Sequence, residues 1–197
     1  METGAPPSLE GLSSAIARLG APARGLPPVH LWHPPFCGDI GLKITRDGVW
    51  HYAGSPINRP ALVRLFSTIL RRDPDRHVLV TPAEMVSVEV EDAPFLAVEL
   101  IVENDARGQR LRFRTNVDDW ATAGPEHRLT FEPGPAEGLK PYLEIRAGLR
   151  ALVARPLLYQ LVEIGETRDI NGAAMYGVAS EGEFFVMAPA AELEGFA

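Results

Sequence analysis

Cysteine is almost missing from this chain. One residue, Cys37, is all there is in 197. A single thiol closes no internal disulfide, and such sparing use suits a reducing cytoplasm. A basic excess is also missing: 19 Lys and Arg face 26 Asp and Glu, a net charge of −7. That balance excludes general nucleic-acid binding, which depends on neutralising phosphates. It leaves room for a small anion held by two or three local arginines. No apolar run approaches a membrane span; the run from Phe95 to Val102 is interrupted by Glu99. The opening METGAPPSLEGLSS has no basic run followed by an apolar one, so no signal peptide is expected.

Catalytic motifs are equally scarce. There is no G-x-S-x-G, no GK[ST] phosphate loop and no G-x-G-x-x-G. His30 and His33 have metal-ligand spacing, but Pro34 and Pro35 preclude the helix that would align them. Asp118 and Asp119 lack the glycine and terminal glutamate of a calcium loop. The expectation is a protein without metal or cofactor, and a binding protein rather than an enzyme.

What is present is a soluble-protein composition, 46% hydrophobic and 23% charged. A chain of this length buries about 70% of its unfolded surface, enough for one domain or two small ones. Ser8 to Leu19 reads as a short amphipathic helix with Leu9, Leu12, Ile16 and Leu19 on one face. APARGLPP then reads as an arm, and disorder is expected in the first few residues.

The stretch 39–54 reads as a hairpin, and its phase selects the loop. A two-residue turn at Asp47-Gly48 would put Trp50 and Tyr52 on the wrong face. A three-residue loop, Arg46-Asp47-Gly48, sets Ile44 opposite Trp50 and Leu42 opposite Tyr52, with Gly48 left-handed. A helix opening at Pro60 follows, striped by Leu62, Leu65, Phe66, Ile69 and Leu70, with Arg71 and Arg72 at its C-terminal end. Residues 77–82 read as a short buried strand. MVSVEVED, PFLAVELIVEN, RLRFRTN and HRLTF read as successive strands.

One phrase recurs. RPALVRL at 59–65 returns as RPLLYQL at 155–161, each after a hairpin and before a strand ending in proline. Gly48 then corresponds to Gly148, Arg59 to Arg155, and Val80-Thr81-Pro82 to Met187-Ala188-Pro189, with TRDINGAAMYG inserted in the second copy. The expected fold is α+β, a duplicated hairpin-helix-strand motif in two lobes. The expected divisions are an N-terminal arm at 1–30, an α+β lobe at 31–85 and a β-rich lobe at 86–197.

The phrases KITRDGVWHYAGSPINRPALVRLFSTIL, VTPAE, VEVEDAPF, RTN (114–116) and YLEIRAGLRALVARPLLY resemble the bacterial domain-of-unknown-function family 1285 over most of the chain beyond residue 30. The resemblance implies a duplicated two-domain fold whose C-terminal half is similar to pleckstrin-homology-like domains. It also implies a ligand site at the domain interface, for a nucleotide-like molecule, and a role in signal transduction.

The candidate site residues are few. A helix N-terminus is partially positive and favours acids, yet Arg59 and Arg155 each lead a helix. Either each guanidinium holds an anion together with first-turn N–H groups, or each pairs with a carboxylate such as Asp47, Glu91, Asp92 or Glu144. Arg146 shares that ambiguity. Glu91 and Asp92 point to opposite faces of a strand and form no paired site alone. The family phrases keep Asp92 and Asn116 among the ligand-binding candidates. The leading expectation is a module binding a small anionic ligand. A protein-interaction adaptor is the second, and a carboxylate-dependent hydrolase using Asp92 or Glu91 the third.

Overall fold

The structure is a computed structural model, and it describes residues 8–19, 25–106, 108–134 and 138–193. The chain separates into two compact units, Met1–Pro94 and Phe95–Ala197. Both are β-rich with few helices, an α+β composition. The expected disorder at the extreme N-terminus lies outside the described residues.

The N-terminal unit is built on a six-stranded sheet, ordered β3-β2-β1-β6-β5-β4. Its strands are β1 (Phe36–Ile44), β2 (Trp50–Tyr52), β3 (Ser55–Pro56), β4 (Leu70–Arg72), β5 (His77–Val80) and β6 (Met85–Val90). The first hairpin has the expected register, with Leu42 opposite Tyr52 and Ile44 opposite Trp50. Gly48 sits at φ 79°, and its N–H donates to Thr45 O. Aromatic phase thus dictated the loop: only a glycine-closed turn of three residues puts Trp50 inward.

Alternation gives the sheet two unlike faces. Leu42, Ile44, Trp50, Leu70, Leu79, Val86 and Val88 are buried on one. There α2 (Pro60–Thr68) brings Phe66 to 6.4 Å from Trp50, ring centre to ring centre. The N-terminal α1 (Leu9–Leu19) packs against α2 and buries Leu12 completely. Across the opposite face runs the row Asp39, Ser87, Val78 and Arg71, joined strand to strand in register.

α2 is shorter than the apolar stripe suggested. The Ser67 and Thr68 hydroxyls donate back to Arg64 O and Leu65 O, and Ile69 closes the helix. Leu70 to Arg72 then pair with β5 as β4. Arg71 and Arg72 are therefore strand residues, not a helix terminus. The sheet offers Leu70 a buried position opposite Leu79, which another helical turn would forfeit.

The boundary between units falls after Pro94. β6 stays with the first unit because it inserts between β1 and β5 and pairs parallel with β1. The second unit holds β7 (Phe95–Asp105), β8 (Gly108–Thr115), β9 (Trp120–Thr122), β10 (Leu129–Pro133), β11 (Leu139–Arg146) and β12 (Leu149–Val153). Their order is β10-β11-β12-β7-β8-β9. β9 is an edge strand that periodicity did not reveal. After β12 come α3 (Arg155–Glu163), the strands β13 (Glu166–Ile170), β14 (Ala173–Ser180) and β15 (Glu183–Pro189), and α4 (Ala190–Leu193). β13, β14 and β15 form a separate three-stranded antiparallel sheet. Buried Ser180 fastens it to β8: its hydroxyl donates to Ala123 O at 2.6 Å and accepts from Leu111 N–H at 2.9 Å.

Candidate functional site

The N-terminal unit carries a depression of about 430 Å³ on the outer face of β1, β2 and β6. Its shape follows from missing side chains. Gly41 and Gly54 leave backbone exposed there, and a Cβ at Gly41 would stand 3.3 Å from the Ala53 backbone. Asp39, Lys43, Thr45, His51, Glu89 and Glu91 surround it. Strand register assembles them, because Lys43 faces His51 across one ladder and Glu89 across the other.

Lys43 is the centre of this group. Its ammonium lies 2.8 Å from Glu91 and 3.0 Å from Glu89. Hydrogen bonding to Glu91, then to Glu89, raises its pKa. Glu91 also accepts the Arg46 backbone N–H at 3.0 Å. Lys43 and that N–H hold the Glu91 carboxyl below its usual range. A carboxyl held ionised is a poor proton donor at neutral pH. Asp39 accepts from Gly41 N–H at 2.7 Å. The depression therefore presents three carboxylates and one ammonium, a surface that disfavours anions. Among the described residues, no group of three or more metal-ligating side chains is placed to hold a metal ion.

The sequence candidates lie elsewhere. Arg59 is exposed at the N-cap of α2, makes no side-chain cap bond, and has no ion pair or hydrogen-bonded side chain among the described residues. The carboxylates suggested as its partners are engaged locally. Asp47 accepts from the Thr45 hydroxyl, Asp92 faces Arg46 at 3.7 Å, and Glu144 accepts Gly148 N–H at 2.6 Å. Arg155 is exposed too. Its Nε donates to the Tyr159 hydroxyl at 2.9 Å, and its guanidinium lies 5.8 Å from that ring centre.

The two helix starts differ by one position. Arg59 O accepts from Leu62 and Val63, whereas in α3 it is Ala154 O that accepts from Leu157 and Leu158. In capping terms Arg59 matches Ala154, not Arg155. Proline also removes one N–H at each start. Side chains, more than backbone donors, would therefore have to hold an anion.

The other candidates have framework contacts. Arg146 reaches Asp119 at 2.5 Å and stacks 5.0 Å above Phe95. Asn116 and Leu96 exchange bonds: Leu96 N–H donates to the Asn116 side-chain oxygen at 3.1 Å, and Asn116 N–H to Leu96 O at 2.8 Å. That exchange sits beside the bulge of β7 at Ala97–Glu99. The Asp92 side chain is 7% exposed. Sequence reasoning missed Lys43 and His51 because neither stands in a catalytic or ligand-binding motif; only cross-strand pairing brings them to Glu89 and Glu91.

Fold and surface together define a β-rich α+β protein of two units with a charged sheet-face depression. Residues 27–93 match the domain of unknown function DUF1285, N-terminal domain, and residues 94–187 match its C-terminal domain. The chain belongs to the DUF1285 family. It is similar to the crystal structure of a DUF1285 family protein from Silicibacter pomeroyi DSS-3, at 46% identity and a TM-score of 0.82, covering 93% of this chain and 98% of that one. A DUF1285 family protein from Shewanella baltica OS155 is 26% identical, with a TM-score of 0.49, over 61% of this chain and 88% of that one. No curated protein matches the chain. Among the described residues, no helix is long and apolar enough to cross a membrane.

Proposed function

We propose that this chain is a cytoplasmic binding or regulatory module that takes a small anionic, nucleotide-like ligand in signal transduction, with Arg59 and Arg155 as anion contacts. One observation carries this reading. Arg59 stands exposed at a helix start, against the local electrostatic preference, while the acids that would neutralise it are engaged elsewhere. Arg155 adds a guanidinium poised beside exposed Tyr159, a planar surface of the kind that stacks on a base. Arg146, Asp92 and Asn116, each with a local contact of its own, are further candidates for ligand contact. The recurring order of hairpin, Arg-Pro helix and antiparallel strands supports a duplicated origin.

A second reading is a protein-interaction adaptor using the C-terminal, pleckstrin-homology-like half. It is favoured by Tyr159, 55% exposed, and Val162, 37% exposed, on the outer side of α3.

A thermal-shift panel tests the first reading. It would compare nucleotides, cyclic nucleotides, nucleotide-sugars and inorganic phosphate on the native chain and on Arg59→Ala and Arg155→Ala. A ligand at about 100 times its Kd stabilises the native state by about 2.7 kcal/mol. The expected outcome is a shift with at least one nucleotide-like anion, lost in at least one of the two variants while that variant's own melting point is unchanged. A shift that survives both substitutions removes the arginine assignment. No shift across the panel turns the search to protein partners.

A further inference from the structure

The segment Gly25–Pro35 is proline-rich, with Pro27, Pro28, Pro34 and Pro35 flanking one 3-10 turn at Val29–Leu31. None of the residues in that turn is buried. The turn's backbone bonds are internal: Val29 to Pro27, Leu31 to Pro28 and Trp32 to Val29. One side chain ties residues 25–34 to the sheet by hydrogen bonds among the described residues. The Arg71 guanidinium donates to Val29 O at 3.0 Å and to Trp32 O at 2.8 Å. It is itself gripped by Asp73, at 2.7 and 3.1 Å, and touches Met85 Sδ at 3.3 Å.

Arg71 stands on the outer face of β4, directly across from Val78. Val78 is 0% exposed although it occupies that outer face. The row Arg71, Val78, Ser87, Asp39 continues into the charged depression. The same sheet face is thus open at β1–β2 and covered at β4–β5.

We propose that residues 25–34 form a detachable strap over the β4–β5 half of this face, with Arg71 as its latch, hinged where Pro35 O accepts the Met85 N–H of β6 at 3.2 Å. Undocked, the strap uncovers Val78 and extends the depression from Asp39 towards Arg71. The prolines keep the segment pre-extended in either state, so undocking releases little backbone entropy for the latch to oppose. This device is independent of the anion-binding reading.

Hydrogen exchange on the full chain tests it, with Arg71→Met, which keeps the aliphatic stem, and Asp73→Asn, which loosens the grip on the guanidinium. The Leu31 and Trp32 amides should exchange more than tenfold faster in Arg71→Met, and faster to a smaller degree in Asp73→Asn. The amides of Val78 to Val80 and of Val86 to Val88 should hold their native rates. Unchanged strap exchange in both variants overturns the proposal. So does uniform acceleration of strap and strands, which would make the segment part of one cooperative core. In a Cys37→Ser background, a Val78→Cys thiol should react with maleimide more than tenfold faster once Arg71 is Met; equal rates would refute the covering role.

Discussion

At the scale of single residues, environment separates side chains of the same type. Arg110, Arg112 and Arg114 alternate along β8 and each meets a carboxylate: Arg110 and Arg112 reach Glu103, and Arg114 reaches Glu99 and Asp118. Arg71 donates to two backbone carbonyls, Val29 O and Trp32 O, whereas Arg59 has no side-chain partner among the described residues. Histidines separate in the same way. His77 lies half-buried beside Arg72, its Nδ1 3.2 Å from that guanidinium. Burial first, and the Arg72 charge second, push its pKa down to about 4 from 6.5. The folded state therefore resists protonation there while the unfolded chain accepts it. Between those two values the unfolded state binds more protons, so stability rises with pH across the window and falls on acidification from pH 6.5. Urea denaturation from pH 4 to pH 7 should show that slope, and His77→Gln should flatten it. An equal slope in the variant would assign it to other groups.

At the scale of elements, turns carry much of the specification. The first hairpin needs one left-handed residue and uses Gly48 at φ 79°. The second pairs Arg146 with Leu149 across Ala147-Gly148, at φ 44° and 77°. A left-handed alanine costs roughly 1–2 kcal/mol that glycine, and in part asparagine, avoids. Gly48→Ala is predicted to destabilise the N-terminal unit by about 1 kcal/mol, and Ala147→Asn to stabilise the C-terminal unit by up to about 1 kcal/mol. Urea midpoints of the two variants check both signs; a destabilised Ala147→Asn would show that the turn is not strained. These turns were legible because strand alternation leaves few loop lengths that keep Leu42, Ile44 and Trp50 on one face. The end of α2 was not legible. Its apolar stripe runs on through Ile69 and Leu70, and only pairing with Leu79 turns that run into a strand.

At the scale of the molecule, charge and topology set the terms. A net charge of −7 and scattered, mostly paired arginines make a poor surface for polyanions. Heparin chromatography at 0.15 M salt should show no retention; firm retention would place a basic face on the protein that the paired arginines of β8 do not provide. The family phrases were readable because they are long and continuous, and both domain matches cover them. The depression was unreadable. Its residues come from three strands, and Lys43 meets Glu89 and Glu91 only because β6 returns parallel to β1 after four intervening strands and α2.

The sequence by itself determined what local physics decides. Two-residue alternation specified the strands, glycine the tight turns, and proline the helix starts. The single cysteine leaves no internal disulfide, and the charge balance is acidic. Tertiary structure alone decided which strands became neighbours, where α2 stopped, and which charges were neutralised. Arg59 and Arg146 read alike along the chain, yet one stands open and the other meets Asp119. That difference arises because a side chain's partner is chosen by distances in space, which periodicity along the chain does not encode.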